Sequence, residues 1–312
     1  WDGTKYLMDR FAFGAGAGCS KPENFALVDP AKGPDDTGVS TIYWGYAKKY
    51  ALADRFFQSV VGSTSSNDMF LGTAQFHFVD NQAFPQTLGT DCQLSYYNYL
   101  PPPERHPPPK VTFENTTIAD LLIQAVPGLP FAHYHQGYRA IHAAAQSGTL
   151  DKDQCPPLPE DCKVAAAKVN GAPCSYDPSD NPLRYFSQFA DDSAQARRYL
   201  RDLSGFASDI EKGGLPAVTF VKGLSYTNEH PAWSHIYEGT ALVQRTIDQV
   251  LTTKYGETVD GRFVPYADST LVLLTWDEGG GFFDHVPPPR SAPATSSPAS
   301  SPRSCSPPAA PC

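Results

Sequence analysis

The stretch LLTWDEGGGFFDHVPPP, residues 273–289, sets the adjacent carboxylates Asp277 and Glu278 at the end of an apolar run, followed by three glycines and the pair Asp284 and His285. Two like charges side by side raise each other's pKa, and a cation between them is the usual remedy. At the end of a buried strand such carboxylates can project into a cleft without being buried unpaired. A bare Asp-Glu-Gly-Gly-Gly is also the ordinary polar turn after any strand, so the surrounding elements must decide between the two readings.

A strand end can hold a site only if a sheet stands behind it. Three segments read as short buried strands of the parallel type: PFAHY (130–134), LPAVTFV (215–221) and STLVLLTW (269–276). Helical patterns lie between them. TTIADLLIQAV starts with Thr117 three residues before Asp120, a capping-box arrangement with Asp in place of the usual Glu or Gln. SAQARRYLRDLSGFASDIEKGG carries Leu200, Leu203, Phe206 and Ile210 at helical spacing and stops at Gly213. HIYEGTALVQRTIDQVLTTKYG repeats Ile236, Val243, Ile247, Val250 and Leu251 and stops at Gly256, and WGYAKKYALADRFF reads as a further helix. Strands alternating with helices predict an α/β fold with a mainly parallel central sheet covered on both faces, whose ligands bind beyond the carboxyl ends of the strands.

Composition removes several function classes. The 312 residues carry a net charge of −9 and no basic cluster, which speaks against nucleic acid and an anionic membrane surface as partners. No apolar run reaches the roughly 18 residues of a membrane span. The chain opens at Trp1 without an initiator Met or a signal-like apolar stretch, so any export signal is expected outside it. Three of the seven cysteines, Cys155, Cys162 and Cys174, crowd a Pro-rich region near 151–182 that reads as a disulfide-pinned insertion in a secreted, periplasmic or cell-surface protein. A thiolate zinc site is the weaker reading, because the CxxC spacing is missing.

Three blocks in chain order, YALADRFFQSVVGSTSSNDMFL (50–71), NEHPAWSHIYEGTALV (228–243) and WDEGGGFFDHVPPP (276–289), resemble the phosphoesterase family of bacterial-type phospholipases C and acid phosphatases, within the alkaline-phosphatase-like superfamily. The resemblance runs from about Met8 to Pro289. It implies an α/β/α sandwich and hydrolysis of a phosphate ester or phospholipid through a covalent phospho-enzyme. Its nucleophile motif, Gly-x-Thr/Ser-x-x-Asn, falls on Gly62, Thr64 and Asn67. Thr64 is then the nucleophile and a metal ligand, Asn67 a substrate contact, and Ser63, Ser65 and Ser66 the alternatives if the register slips. Asp277 and Glu278 become metal ligands, and an oxygen set of this kind leaves Ca, Mg, Mn, Fe and Zn all open. His230 and His285 stand by the phosphoryl group and the leaving oxygen, since an imidazole can protonate an alkoxide or bind anionic oxygens. Asp284 orients His285 or binds metal.

The chain departs from the family pattern at both ends. An early Glu-Asn pair closing the first strand is expected of the family, yet neither Glu23-Asn24 nor Glu114-Asn115 follows an apolar strand, so the pair is expected before Trp1. After Pro289 a Pro/Ser/Ala-rich stretch, 290–312, reads as a disordered tail following a domain at 1–289, and the abrupt switch fits a lost reading frame. The fold is therefore expected to be incomplete at both ends. A catalytically inactive family member that at most binds phosphate-bearing ligands is the alternative to an active hydrolase. A sulfatase-like hydrolase is disfavoured by the absence of Cys at the nucleophile position.

Overall fold

The computed structural model describes residues 39–78, 83–91, 109–128, 130–148, 176–230, 234, 236–280 and 286. Along these the elements are α1 (Val39–Lys49), α2 (Thr64–Thr73), β1 (Phe84–Pro85), β2 (Lys110–Val111), α3 (Ile118–Ala125), β3 (Phe131–His135), α4 (Tyr138–Gln146), α5 (Ala194–Tyr199), β4 (Leu200–Asp202), α6 (Phe206–Glu211), β5 (Val218–Lys222), α7 (Ile236–Leu251), β6 (Gly256–Val259), β7 (Arg262–Pro265) and α8 (Tyr266–Ser269). All seven cysteines, the tail and most of the predicted insertion lie outside the described residues. Residues 176–182, at the end of that insertion, form short 3-10 turns packed into the core, with Tyr176, Asp180 and Asn181 buried.

The main sheet is parallel, in the order β4-β3-β5. All five residues of β3 are buried, as a central strand covered on both faces requires. Alternation sends Phe131 into a core with Met69, Ile141, Tyr176 and Phe186 beneath α2 and α4, and sends Ala132 and Tyr134 into a second core with Phe206, Ile210 and Val250 of α6 and α7. The result is the three-layer α/β/α arrangement expected from sequence. The chain leaves β3 for α4 on one face and leaves β5 for α7 on the other. The switch point, where such sheets open a crevice, therefore lies between the carboxyl ends of β3 and β5.

Several predicted elements form as read. β3 and β5 coincide with two of the three expected strands, and α3 carries the full capping box. Thr117 accepts the Asp120 N–H at 3.3 Å, while Asp120 Oδ2 accepts the Thr117 N–H at 2.7 Å.

Others differ for physical reasons. The helix read across 193–214 is broken into α5, β4 and α6, because Leu200 pairs with His133 in the parallel ladder. Its apolar residues then serve opposite faces, Leu200 in the first core and Phe206 and Ile210 in the second. The helix expected over 44–57 lies earlier, ending at Lys49, and leaves Leu52 and Phe56 exposed.

Of the expected strand at 269–276, Ser269 ends α8 and 270–276 forms no regular element and pairs with no described strand, and Leu271 and Leu273 are 81% and 82% exposed. An apolar pattern supplies the side chains of a strand but not the neighbouring ladder that defines one. The reading also passed over the hairpin β6–β7, although its Asp260-Gly261 turn, with φ of 51° and 76°, is the short-range signal for one. Gly256 is required there, since a Cβ would lie 2.0 Å from the Val264 carbonyl oxygen.

Thr117→Ala removes one half of the capping box and is expected to cost about 1 kcal/mol. A thermal melt should register this as a fall of about 2–4 °C, and an unchanged midpoint would show that α3 does not depend on its cap.

Candidate active site

Four pieces of chain meet at the β3/β5 crevice: the end of β3 at His135, the end of β5 at Lys222, the start of α2 at Thr64, and the irregular segment that delivers Asp277. Lys222 Nζ lies 3.7 Å from Asp180 Oδ2 and 3.8 Å from Asp277 Oδ1. The Thr64 hydroxyl lies within reach of the Asp277 carboxylate and helps to stabilise its charge. On the other side Asp180 accepts from Asn228 Nδ2 at 3.2 Å, and Asn228 Oδ1 accepts the His230 backbone N–H at 3.0 Å. A continuous polar chain therefore runs from Thr64 through Asp277, Lys222, Asp180 and Asn228 to His230, so three of the residues expected from sequence are brought together.

The nucleophile loop is held from within. Buried Asn67 accepts the Val60 N–H at 3.0 Å and directs its amide N–H groups at the carbonyls of Val60, Gly62 and Ser63, at 3.2–3.3 Å. Its side chain, expected at the substrate, is engaged by the loop that carries Thr64. Thr64 is the first residue of α2, where the helix dipole is positive and anions bind. Ser65 and Ser66 are buried, whereas Thr64 is only half-buried.

The glycine turn after Asp277 is tied to the same loop, with the Gly279 N–H donating to Gln58 Oε1 at 2.8 Å. Glu278 is half-buried and its Oε2 accepts the Gly280 N–H at 2.5 Å. His285 and Asp284 lie outside the described residues. So Thr64, Asp277 and Glu278 put one hydroxyl and two carboxylates along one stretch of the crevice. Among the described residues no three His, Cys, Asp or Glu side chains are gathered closely enough to hold a metal ion on their own.

The electrostatics distinguish the carboxylates. Burial raises Asp68, Asp177 and Asp180 above the usual carboxylate range, with Asp180 adding to the effect at Asp177, while Lys222 opposes it at all three. Asp277 goes the other way. Burial pushes it up, but Lys222, the Thr64 hydroxyl and the backbone N–H groups of Asp277 and Glu278 together hold it below its ordinary value. Burial works against the Lys222 charge too, and the four surrounding carboxylates more than offset it, so the ammonium stays protonated. Glu278 is raised, chiefly by burial. Burial lowers His133 to about 3 and His135 well below the usual imidazole range, so both are neutral near pH 7.

Sequence reasoning missed Lys222, Asp180, Asp177, Asp68 and Asn228. Lys222 had a usable signal: it ends the strand LPAVTFV just as Asp277 was expected to end STLVLLTW, and the strand-end rule applies equally to both. Asp177, Asp180 and Asn228 lie in loops with no periodic pattern, and only folding gathers them.

An α/β/α sandwich with hydroxyl, carboxylate and ammonium groups at its switch point is the frame of a hydrolase-type site. A profile for the Phosphoesterase family matches residues 36–307, and the chain belongs to that family. Curated relatives are phospholipases C. Non-specific phospholipase C5 of Arabidopsis thaliana is 23% identical over 255 residues, 80% of this chain and 34% of that protein. Phospholipase C A of Mycobacterium tuberculosis is 31% identical over 121 residues, 38% and 21% of the two chains. Non-hemolytic phospholipase C of Burkholderia pseudomallei is 26% identical over 122 residues, 35% and 16%. The chain thus spans between 16% and 34% of the length of these relatives. No helix among the described residues is long and apolar enough to cross a membrane.

Asp68 supplies a stability test of this cluster. Its Oδ2 is buried without a hydrogen-bond partner, and its folded pKa is raised. The folded state therefore keeps a proton that the unfolded state loses above about pH 4, and stability falls as pH rises from there through the folded pKa. Asp68→Asn should flatten that decline and raise the melting midpoint at about pH 7 by a few degrees, measured with chelator present across about pH 4 to 8. A variant as pH-dependent as the wild type would count against a buried Asp68 whose burial outweighs the pull of Lys222.

Proposed function

We propose that the protein is a phosphoric ester hydrolase of the phospholipase C or acid phosphatase type, working through a phospho-threonine on Thr64. The observation that carries this reading is the Thr64 hydroxyl at a helix N-terminus, beside Asp277, the carboxylate of the cluster that Lys222 approaches at 3.8 Å and that is held below its ordinary pKa. Asp277 orients the hydroxyl. Because its pKa is low it is a poor base, so activation must come from positive charge near the oxygen, of which Lys222 supplies part. Thr64, Asp277 and Glu278 form a hard oxygen donor set that fits a divalent ion, from among Ca, Mg, Mn, Fe and Zn. When bound, such an ion would lower the hydroxyl pKa and neutralise phosphoryl charge.

In the first step Thr64 Oγ releases its proton to solvent and forms a bond to phosphorus as the bond to the leaving oxygen breaks. The positive end of α2 faces the anionic phosphoryl oxygens. His230, within electrostatic reach of Asp180 and Glu278, gives the departing alkoxide its proton in this reading. His285 shares this role in the proposal. Water then attacks phosphorus, passing a proton to the now neutral His230, while the P–Oγ bond breaks and Thr64 Oγ regains a proton from solvent; phosphate or a phosphorylated headgroup is released. Phosphomonoesters and phospholipids share this chemistry and differ in the leaving group.

One observation favours the alternative of an inactive, ligand-binding family member: no three His, Cys, Asp or Glu side chains gather closely enough to hold a metal ion among the described residues, so the donor set leans on the Thr64 hydroxyl. The same assay decides between the two. With divalent metals supplied in turn, the protein should hydrolyse p-nitrophenyl phosphate or p-nitrophenylphosphorylcholine, and Thr64→Ala should abolish this while its circular dichroism stays native. More than a few per cent residual activity would move the nucleophile to a neighbouring serine. Asp277→Asn with Glu278→Gln should remove bound metal by elemental analysis, and unchanged metal content would refute the strand-end ligands. A folded wild type inactive with every metal would favour the inactive reading.

A further inference from the structure

Glu229 immediately precedes His230 and holds an unusual backbone conformation, with φ at +67°. A residue with a side chain rarely adopts this left-handed region, and persists there when its surroundings over-determine it. Those surroundings are built around its carboxylate. Oε1 accepts hydrogen bonds from the Tyr43 hydroxyl of α1 and, at 3.3 Å, from the Thr240 hydroxyl of α7. Oε2 accepts the Trp276 indole N–H at 3.0 Å. The rings of Tyr43 and Trp276 meet edge to face, with centroids 5.3 Å apart. The helix is cleared to admit the side chain, since a Cβ at position 239 would lie 2.2 Å from Glu229 Cγ and only Gly239 leaves the room.

Trp276 immediately precedes Asp277. One carboxylate thus joins the residue before His230 to the residue before Asp277, where no strand ladder does so, because 270–276 is unpaired with any described strand. We propose that Glu229 is a positioning residue, whose carboxylate fixes the His230 peptide and the Asp277–Glu278 turn in a single geometry against α1 and α7. This rests on the hydrolase reading for its kinetic consequence, though not for the geometry itself. Misplacing reacting groups by about 1 Å costs rate more than ground-state binding, which sets the kinetic signature.

The test compares Glu229→Ala, Glu229→Gln, Trp276→Phe and the double variant Glu229→Ala with Trp276→Phe in the metal-supplied protein, with p-nitrophenyl phosphate as the probe. Glu229→Ala should lower kcat about 100-fold with KM within about threefold. Glu229→Gln can still accept from Trp276 and donate to the Tyr43 oxygen, so it should recover to within about tenfold of wild type. Trp276→Phe keeps the ring but loses the indole donor and should cost about tenfold, and the double variant should be no worse than Glu229→Ala, because both changes break one link. A purely structural tie would lower the melting midpoint and leave kcat per folded molecule unchanged, which overturns the proposal. If the wild type hydrolyses nothing, the hydrolase reading fails separately, and NMR decides the positioning: Tyr43→Phe and Trp276→Phe should shift the His230 and Asp277 amide resonances together. If those resonances stay put, the inference is wrong.

Discussion

The site depends on how one ammonium group is shared. Lys222 ends β5, an edge strand of the sheet among the described residues, is largely buried, and stands between Asp180 and Asp277 with Asp68 and Asp177 close enough to act on it. Taking a charge out of water costs several kcal/mol, and at an effective dielectric near 20 two opposite charges about 4 Å apart return roughly 4 kcal/mol. One carboxylate would barely offset the burial of Lys222, whereas several do so comfortably. The reverse does not hold, because a single ammonium cannot compensate four buried carboxylates. Three of them rise and retain protons more readily, and the one with the best additional donors, Asp277, stays ionised. That selection puts the Thr64 hydroxyl beside a charged carboxylate.

This arrangement needs a sheet whose two faces are covered by different helices. The crossing from α4 on one face to α7 on the other opens the crevice, and the parallel register sets His135 beside Lys222 at its floor. With neither the His133 nor the His135 imidazole charged near pH 7, the two rings add no positive charge to that of Lys222. The walls come from loops: 58–64 held by Asn67, the 3-10 turns at 177–185, and the segment 228–230. Loops can carry such groups because the strands and helices behind them are fixed.

Much of this was legible along the chain. PFAHY and LPAVTFV are strands because short β-branched and aromatic runs have little alternative when both faces are covered, and Thr117-x-x-Asp120 starts a helix because its cap is local chemistry. The ordered blocks around Thr64, His230 and Asp277 marked three residues that the fold brings to one crevice. The errors cluster where tertiary contacts outbid local pattern. Leu200, Phe206 and Ile210 keep helical spacing, yet the sheet passes between them. STLVLLTW keeps the look of a strand and lacks a described partner.

What the sequence by itself determined is therefore everything carried by short-range chemistry: the alternation of strands and helices, the capped helix, the carboxylates after an apolar run, and the hydroxyl-rich turn before α2. The tertiary structure alone decided which charges meet. Asp68, Asp177, Asp180, Lys222 and Asp277 are spread over more than two hundred residues, and electrostatic interaction falls with distance in space rather than along the chain. No local pattern encodes that Lys222 faces Asp277, or that Asp277 keeps its charge while its neighbours resist theirs. Those are properties of a low-dielectric crevice, which exists only after the sheet and its two layers have closed around it.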